Sequence, residues 1–256
     1  MFKGYLLDLD GTIYLGDKVI PAGKRFIERL QKKQIPYLLV TNNSSRLPYQ
    51  VCERLASQFD IHIKEEEVYT SSMATADYLD ELNLGKKVYA IGQDGLKKML
   101  EQRGYTLVEK ASEHPEYVVV GLDQSVTYDK FKEATFAIQQ GAKFIGTNPD
   151  KNIPSHEGFL PSAGPNIAFL ESATQTKATI IGKPNAIMME KAVECLGLQK
   201  NEVVMVGDNY ETDIHAGLDN DIPALLVLSG FTKKDQVPSL NPQPNYIVNS
   251  LDDWEI

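Results

Sequence analysis

Short apolar runs that close on polar groups alternate along this chain with apolar residues at helical spacing. The first run, residues 4–9, reads as a strand, and a helix opens near Pro21 with Phe26, Ile27 and Leu30 on one face. Proline suits an early helical position, where its missing N–H costs nothing. A strand over 36–40 follows, then a helix from about Pro48 to Ser57, a short strand at Val68 and Tyr69, and a helix through Met73 to Leu82. A second series begins near Lys87: a strand over 87–91, a helix with Leu96, Met99 and Leu100 on one face, strands near 105–108 and 117–121, a helix over 128–140 and a strand over 143–146. The chain then gives a helix over 185–196, a strand over 203–207, a helix over 211–219, a strand over 224–228 and a last short strand at Tyr246-Ile247-Val248. Strands alternating with helices predict an α/β fold with a largely parallel sheet.

Several strand ends and loops carry polar chemistry. Leu6-Leu7-Asp8-Leu9-Asp10-Gly11-Thr12 places two carboxylates one residue apart at the end of the first strand. Residues two apart in an extended strand project to the same side, so both acids are expected to face one spot. Neighbouring carboxylates raise each other's pKa unless a cation or a proton transfer uses them. A hard divalent ion relieves the repulsion; the alternative is an acidic turn, since Asp-Gly is a common turn dipeptide. Val203-Val204-Met205-Val206-Gly207-Asp208-Asn209 is a second apolar run ending in an acid, with Asp213 in the next segment. Between the two lie Leu38-Leu39-Val40-Thr41-Asn42-Asn43-Ser44-Ser45 and Ile180-Ile181-Gly182-Lys183-Pro184. Together these segments hold the parts a phosphoryl group needs.

In this order, Asp-x-Asp-Gly-Thr, a strand closing on Thr-Asn, Gly-Lys-Pro, and Gly-Asp-x-x-x-x-Asp resemble the haloacid dehalogenase superfamily of phosphohydrolases. The Thr-Asn-Asn-Ser-Ser loop, the long segment before Lys183 and the Gly-Thr-Asn-Pro-Asp run at 146–150 are similar to its NagD-like branch. The resemblance spans almost the whole chain and implies a doubly wound, largely parallel Rossmann-like core with an inserted α/β cap. The middle block has its own βα rhythm and none of the four motifs. The expected division is therefore core over 1–80, cap over 81–177 and core again over 178–256. Ligands of open parallel sheets lie beyond the carboxyl ends of the strands. Asp8, Thr41 and Asp208 occupy such ends and are expected to converge on one crevice, over which a cap would exclude water.

The resemblance implies a Mg²⁺-dependent phosphatase acting on small monoesters, such as nucleoside monophosphates, sugar phosphates or p-nitrophenyl phosphate, through an aspartyl-phosphate. On chemistry alone Asp8 is either the nucleophile or only a metal ligand beside an attacking water; the resemblance favours the covalent route. Asp10 would be general acid and then base, its main-chain carbonyl also a Mg²⁺ ligand by resemblance, unless it merely ends a strand. Thr41, Asn42 and Asn43 offer hydroxyl, amide and loop N–H donors to phosphate oxygens, although such residues are also ordinary turn formers. Lys183 would neutralise phosphate and hold Asp8 ionised. Asp208 would complete the metal shell, with Asp213 close behind and Asn209 as an orienting group. Asn148 and Asp150 could touch the leaving group, or could simply form a turn. Two other readings keep the same residues: a phosphomutase, and a non-catalytic sensor of phosphorylated metabolites.

Composition narrows the partners. The 256 residues carry 26 Lys and Arg against 35 Asp and Glu, a formal charge of −9. That balance argues against a nucleic-acid polymer, whose binding rests on cationic neutralisation of phosphates, and leaves room for a small phosphorylated metabolite. Cys52 and Cys195 are too few for a disulfide framework and are expected to be buried thiols. His62, His114, His156 and His215 show no recurring ligand spacing. Gly92-Gln93-Asp94-Gly95 lacks the Lys and Ser/Thr of a phosphate-binding loop. The first strand starts almost at once and no apolar stretch approaches about 18 residues. A soluble cytoplasmic protein without a membrane partner is expected, with a homodimer through the cap as a possibility. The cap sequence shows neither an aromatic concentration nor an arginine cluster that would name the ligand.

Overall fold

The computed structural model describes residues 1–155 and 157–256; His156 lies outside the described residues. Two compact units emerge. The first comprises Met1–Thr41, Pro48–Tyr69 and Lys183–Ile256, and the second Asn42–Leu47 and Thr70–Gly182. The expected boundaries at 80 and 178 are displaced. The helix Ser71–Leu82 groups with the second unit, where the Tyr117 hydroxyl donates to the Leu79 carbonyl (3.2 Å) and the Tyr105 hydroxyl to Asp80 (2.9 Å). The strand Thr179–Ile180 also stays with that unit, because it pairs with Lys143–Gly146.

The first unit is built on a six-stranded sheet in the order Tyr246–Val248, Ala224–Val227, Val203–Gly207, Gly4–Leu7, Tyr37–Thr41, Val68–Thr70. The strand Gly4–Leu7 runs parallel to both neighbours, with Leu7 opposite Val206 on one side and Leu39 on the other. Its four residues are all buried, as a central strand covered on both faces must be. The helix Pro21–Lys33 starts on proline and buries Phe26, Ile27 and Leu30 against Tyr5, Leu7 and Leu39. Each of those apolar side chains contributes about 1.5–3 kcal/mol relative to exposure. The helix Pro48–Phe59 adds Val51, Leu55 and Phe59 to the same core.

The second unit carries a five-stranded sheet in the order Thr179–Ile180, Lys143–Gly146, Tyr117–Val120, Lys87–Ile91, Thr106–Val108, with every neighbouring pair parallel. Thr127 caps the helix Tyr128–Gln139, its hydroxyl accepting the Lys130 N–H at 3.3 Å. A helix at Ala163–Thr174 and an antiparallel hairpin of Asn152–Ser155 with Gly158–Pro161 belong to this unit as well. Neither follows from the expected elements.

Two further expectations are corrected. The segment expected to be one helix over 211–219 is a wide π-type turn at Tyr210–Ile214 followed by a four-residue helix, His215–Leu218. Cys195 is exposed rather than buried, because it ends the helix Ala186–Cys195 on the solvent side, while Cys52 is half-buried; both are free thiols. Among the described residues, no helix is long and apolar enough to cross a membrane.

Candidate active site

The strand order of the first unit reverses at Gly4–Leu7: the chain moves from it to Tyr37–Thr41 on one side and later returns to Val203–Gly207 on the other. Ligands gather at such a switch point, beyond the carboxyl ends of the strands. Asp8 leaves the first of these strands and Asp208 the third, while Thr41 closes the second. The Asp8 N–H donates to the Val206 carbonyl at 2.9 Å, so the ladder continues one residue past the strand and fixes the Asp8 backbone.

Carboxylate oxygens of Asp8, Asp208 and Asp213 all lie within 4.8 Å of one another. Lys183 sits among them. Its ammonium donates to Asp8 Oδ1 and to Asp213 Oδ1, each at 2.7 Å, and its side chain is only 2% exposed. A lysine is rarely buried unless paired, and here two carboxylates hold it. Burial would lower its pKa, but Asp213 and Asp8 overcome that and raise it, so it is an ammonium ion.

The acids respond in the opposite sense. Burial and then the charge of Asp213 push Asp8 well above the usual carboxylate range, opposed by Lys183. The same two causes push Asp208 up to about 7. Three carboxylates and one ammonium leave a formal charge of −2 in a buried place, which suits a divalent cation bound through oxygen. Asp213 has both oxygens engaged, Oδ1 by Lys183 and Oδ2 by the Asn209 N–H at 3.1 Å. Asn209 contributes its main chain here, while its side chain accepts the Glu211 N–H.

Asp10 stands apart from this group. The strand ends at Leu7 and the chain turns at Gly11 (φ 101°), so the alternation expected to aim Asp8 and Asp10 at one spot stops before it reaches Asp10. The Asp10 carboxyl opens to solvent on one side. Partial burial on the other raises its pKa, against the lowering effect of the Gly16 N–H and of Arg54.

Several contributors were not singled out in the sequence. Phe231 N–H donates to Asp208 Oδ2 at 2.5 Å, and the Thr12 hydroxyl to Asp208 Oδ1 at 3.4 Å. Ser229 Oγ donates to the Gly11 carbonyl at 2.7 Å, and Thr232 Oγ1 accepts the Tyr210 N–H at 3.0 Å. A Cβ on Gly11 or on Gly230 would collide with the Asp208 carboxylate, so two glycine backbones make room for it. The available signal was Ser229-Gly230 closing the apolar run of the strand Ala224–Val227.

The other candidates belong to the second unit. The Asn42 amide donates to Asp150 Oδ1 at 3.0 Å, and the Asn148 amide donates to the Asn42 carbonyl at 2.9 Å. Asn43 Oδ1 accepts from both the N–H and the hydroxyl of Ser45, at 2.9 Å each, a side-chain-closed turn. These four residues are thus gathered within their own unit.

Comparison with known proteins supplies the lineage. Residues 5–106 match the haloacid dehalogenase-like hydrolase family, and residues 180–254 match a related HAD-hydrolase-like family. The chain belongs to the haloacid dehalogenase-like hydrolases. Among curated members of this family it is 43% identical over 253 residues to a 5'-nucleotidase of Bacillus subtilis, covering 99% of this chain and 97% of that protein. It is 45% identical over 252 residues to an acid sugar phosphatase of Staphylococcus aureus, covering 98% and 96%. Among solved structures of the haloacid dehalogenase-like fold, a p-nitrophenyl phosphatase from Archaeoglobus fulgidus superposes with a TM-score of 0.93 at 32% identity, covering 98% of this chain and 97% of that one. A thermostable NPPase double mutant from Geobacillus stearothermophilus gives 0.92 at 45%, covering 99% and 98%.

Proposed function

We propose that this hydrolase is a Mg²⁺-dependent phosphatase of small phosphate monoesters that carries the phosphoryl group on Asp8. The observation that bears most weight is the pairing of Asp8 with buried Lys183 at 2.7 Å inside a group of three carboxylates. A carboxylate pushed upward by burial is a poor nucleophile unless cations draw it back toward the ionised form, and Lys183 acts in that direction. The named activities of the relatives share one chemistry, cleavage of a phosphate monoester, while their leaving groups differ.

Asp8 and Asp208 would hold Mg²⁺, with the Asp10 carbonyl as a further ligand, and the ion would neutralise charge on the phosphate oxygens. The chain's own residues do the rest. An Asp8 carboxylate oxygen forms a bond to phosphorus as the ester P–O bond breaks, its electron pair leaving with the alcohol oxygen. Protonated Asp10 gives its proton to that oxygen. Asp10, now a carboxylate, takes a proton from a water whose oxygen attacks phosphorus. The bond between phosphorus and the Asp8 oxygen breaks, and Asp8 returns as a carboxylate with phosphate released. The Thr41 hydroxyl, at the adjacent strand end, is a donor for phosphate oxygens.

The test is turnover of p-nitrophenyl phosphate. Asp8→Asn releases no p-nitrophenol above the buffer rate while keeping the wild-type circular dichroism spectrum, and chelation of Mg²⁺ silences the wild type until the ion is restored. Substantial turnover by Asp8→Asn would rule out the covalent route.

A further inference from the structure

Asp10 is the one proposed reacting group that the buried cluster does not hold, so something else must aim it. It sits at the start of a loop that returns as a minimal hairpin, Tyr14–Leu15 paired with Lys18–Val19. Two strands of two residues each cannot hold a conformation unaided. Within that loop the Gly11 N–H donates to the Tyr14 carbonyl at 2.6 Å, Asp10 and Tyr14 form an isolated β-bridge, and Gly16 turns at φ 58°. The Gly16 residue is held from outside the loop. Arg54, on the helix Pro48–Phe59, donates from Nη2 to the Gly16 carbonyl at 2.8 Å.

Arg54 is itself fixed. Its guanidinium lies 4.6 Å from the Tyr14 ring centroid and 5.6 Å from that of Phe59, and those two rings stack at 5.0 Å. Its Nε donates to Gln58 Oε1 at 3.0 Å, and its side chain is 18% exposed. The ion pair with Asp17 at 3.6 Å adds little, because Asp17 is 94% exposed. A planar fork that stacks on one face and donates in its plane is what arginine offers and lysine does not.

We propose that Arg54 is a positioning residue for leaving-group protonation: it clamps the Gly16 turn and the Tyr14 ring, and through the Asp10–Tyr14 bridge it holds Asp10 in line with the departing oxygen. This rests on Asp10 being the general acid. A misplaced acid matters in proportion to the proton demand of the leaving group. A p-nitrophenolate departs with little help, whereas a p-methoxyphenolate needs its proton early.

The experiment compares kcat/KM for p-nitrophenyl and p-methoxyphenyl phosphate in wild type, Arg54→Ala, Arg54→Lys and Asp10→Asn. This ratio reports events only through departure of the phenol, so Asp10's later role as base does not intrude. Arg54→Ala is expected to lose about ten- to a hundredfold on the p-methoxyphenyl ester and several times less on the p-nitrophenyl ester. Asp10→Asn shows the same discrimination more steeply. Arg54→Lys, which keeps the cation and the aliphatic stem, shows the selective loss even if Arg54→Ala is too unstable to assay. Equal losses on both esters in the Arg54 variants, with Asp10→Asn still discriminating, would mean that Arg54 only braces the fold, and the proposal fails. If Asp10→Asn does not discriminate either, the acid role of Asp10 is wrong and the proposal falls with it.

Discussion

Lys183 is the residue on which the electrostatics of the cluster turns. Its ammonium is buried against Asp8 and Asp213, and breaking such a pair by removing one partner leaves uncompensated charge in a low dielectric. Lys183→Met keeps the volume and removes the charge. The variant is expected to lose phosphatase activity and about 3–5 kcal/mol of stability in urea unfolding at neutral pH; a midpoint equal to that of the wild type would show that the cluster does not depend on the ammonium. Gly-Lys-Pro and Gly-Asp-x-x-x-x-Asp made Lys183, Asp208 and Asp213 legible in the sequence, because each follows an apolar run at a recognisable spacing. The Phe231 N–H that binds Asp208 was not legible, since a main-chain donor leaves no mark on residue type. For Asp10, strand alternation gives no direction, because this strand stops at Leu7.

Among the secondary-structure elements, the loop between Tyr117–Val120 and the helix Tyr128–Gln139 shows how a buried acid organises a connection. Asp123, 3% exposed in its side chain, accepts from the Ser125 N–H and hydroxyl at 2.8 and 2.9 Å and from the Lys130 ammonium at 2.7 Å. Burial alone would raise its pKa, but Lys130 and Ser125 hold it below the usual carboxylate value. A depressed folded-state pKa stabilises above the unfolded value, about 3.9, and that contribution disappears as pH falls through the folded one. Asp123→Asn is therefore expected to lower the melting temperature at pH 6, with the gap to wild type narrowing as pH falls below the unfolded value; a gap that does not narrow in acid would assign the effect to packing. Long elements with a clear apolar face, such as the helix Pro21–Lys33, were readable from spacing. The helix Ala163–Thr174 was not, because Gly164 and Pro165 near its start read as breakers and its small residues mark no face. The π-type turn at Tyr210–Ile214 likewise carries helical spacing in sequence while departing from the α-helix in space.

At the level of the whole molecule, residues separated by about 200 positions, Asp8 and Asp208, share one cluster because strand order places their strands side by side. That convergence was readable from the order of the motifs. The extent of the second unit was less so: contacts of Tyr105 and Tyr117 draw the helix Ser71–Leu82 into it, and no spacing rule announces tertiary contacts of that kind. The account as a whole stands on Asp8 accepting the phosphoryl group. Asp10→Asn retains the nucleophile but lacks the base for the second step, so with p-nitrophenyl phosphate it should accumulate the intermediate. Acid quenching of this variant during turnover, followed by peptide mass mapping, is the most direct measurement. The account predicts one phosphoryl group per chain, located on Asp8 and dependent on Mg²⁺. Release of p-nitrophenol with no phosphoryl group on the protein, or with the group on another residue, would contradict it.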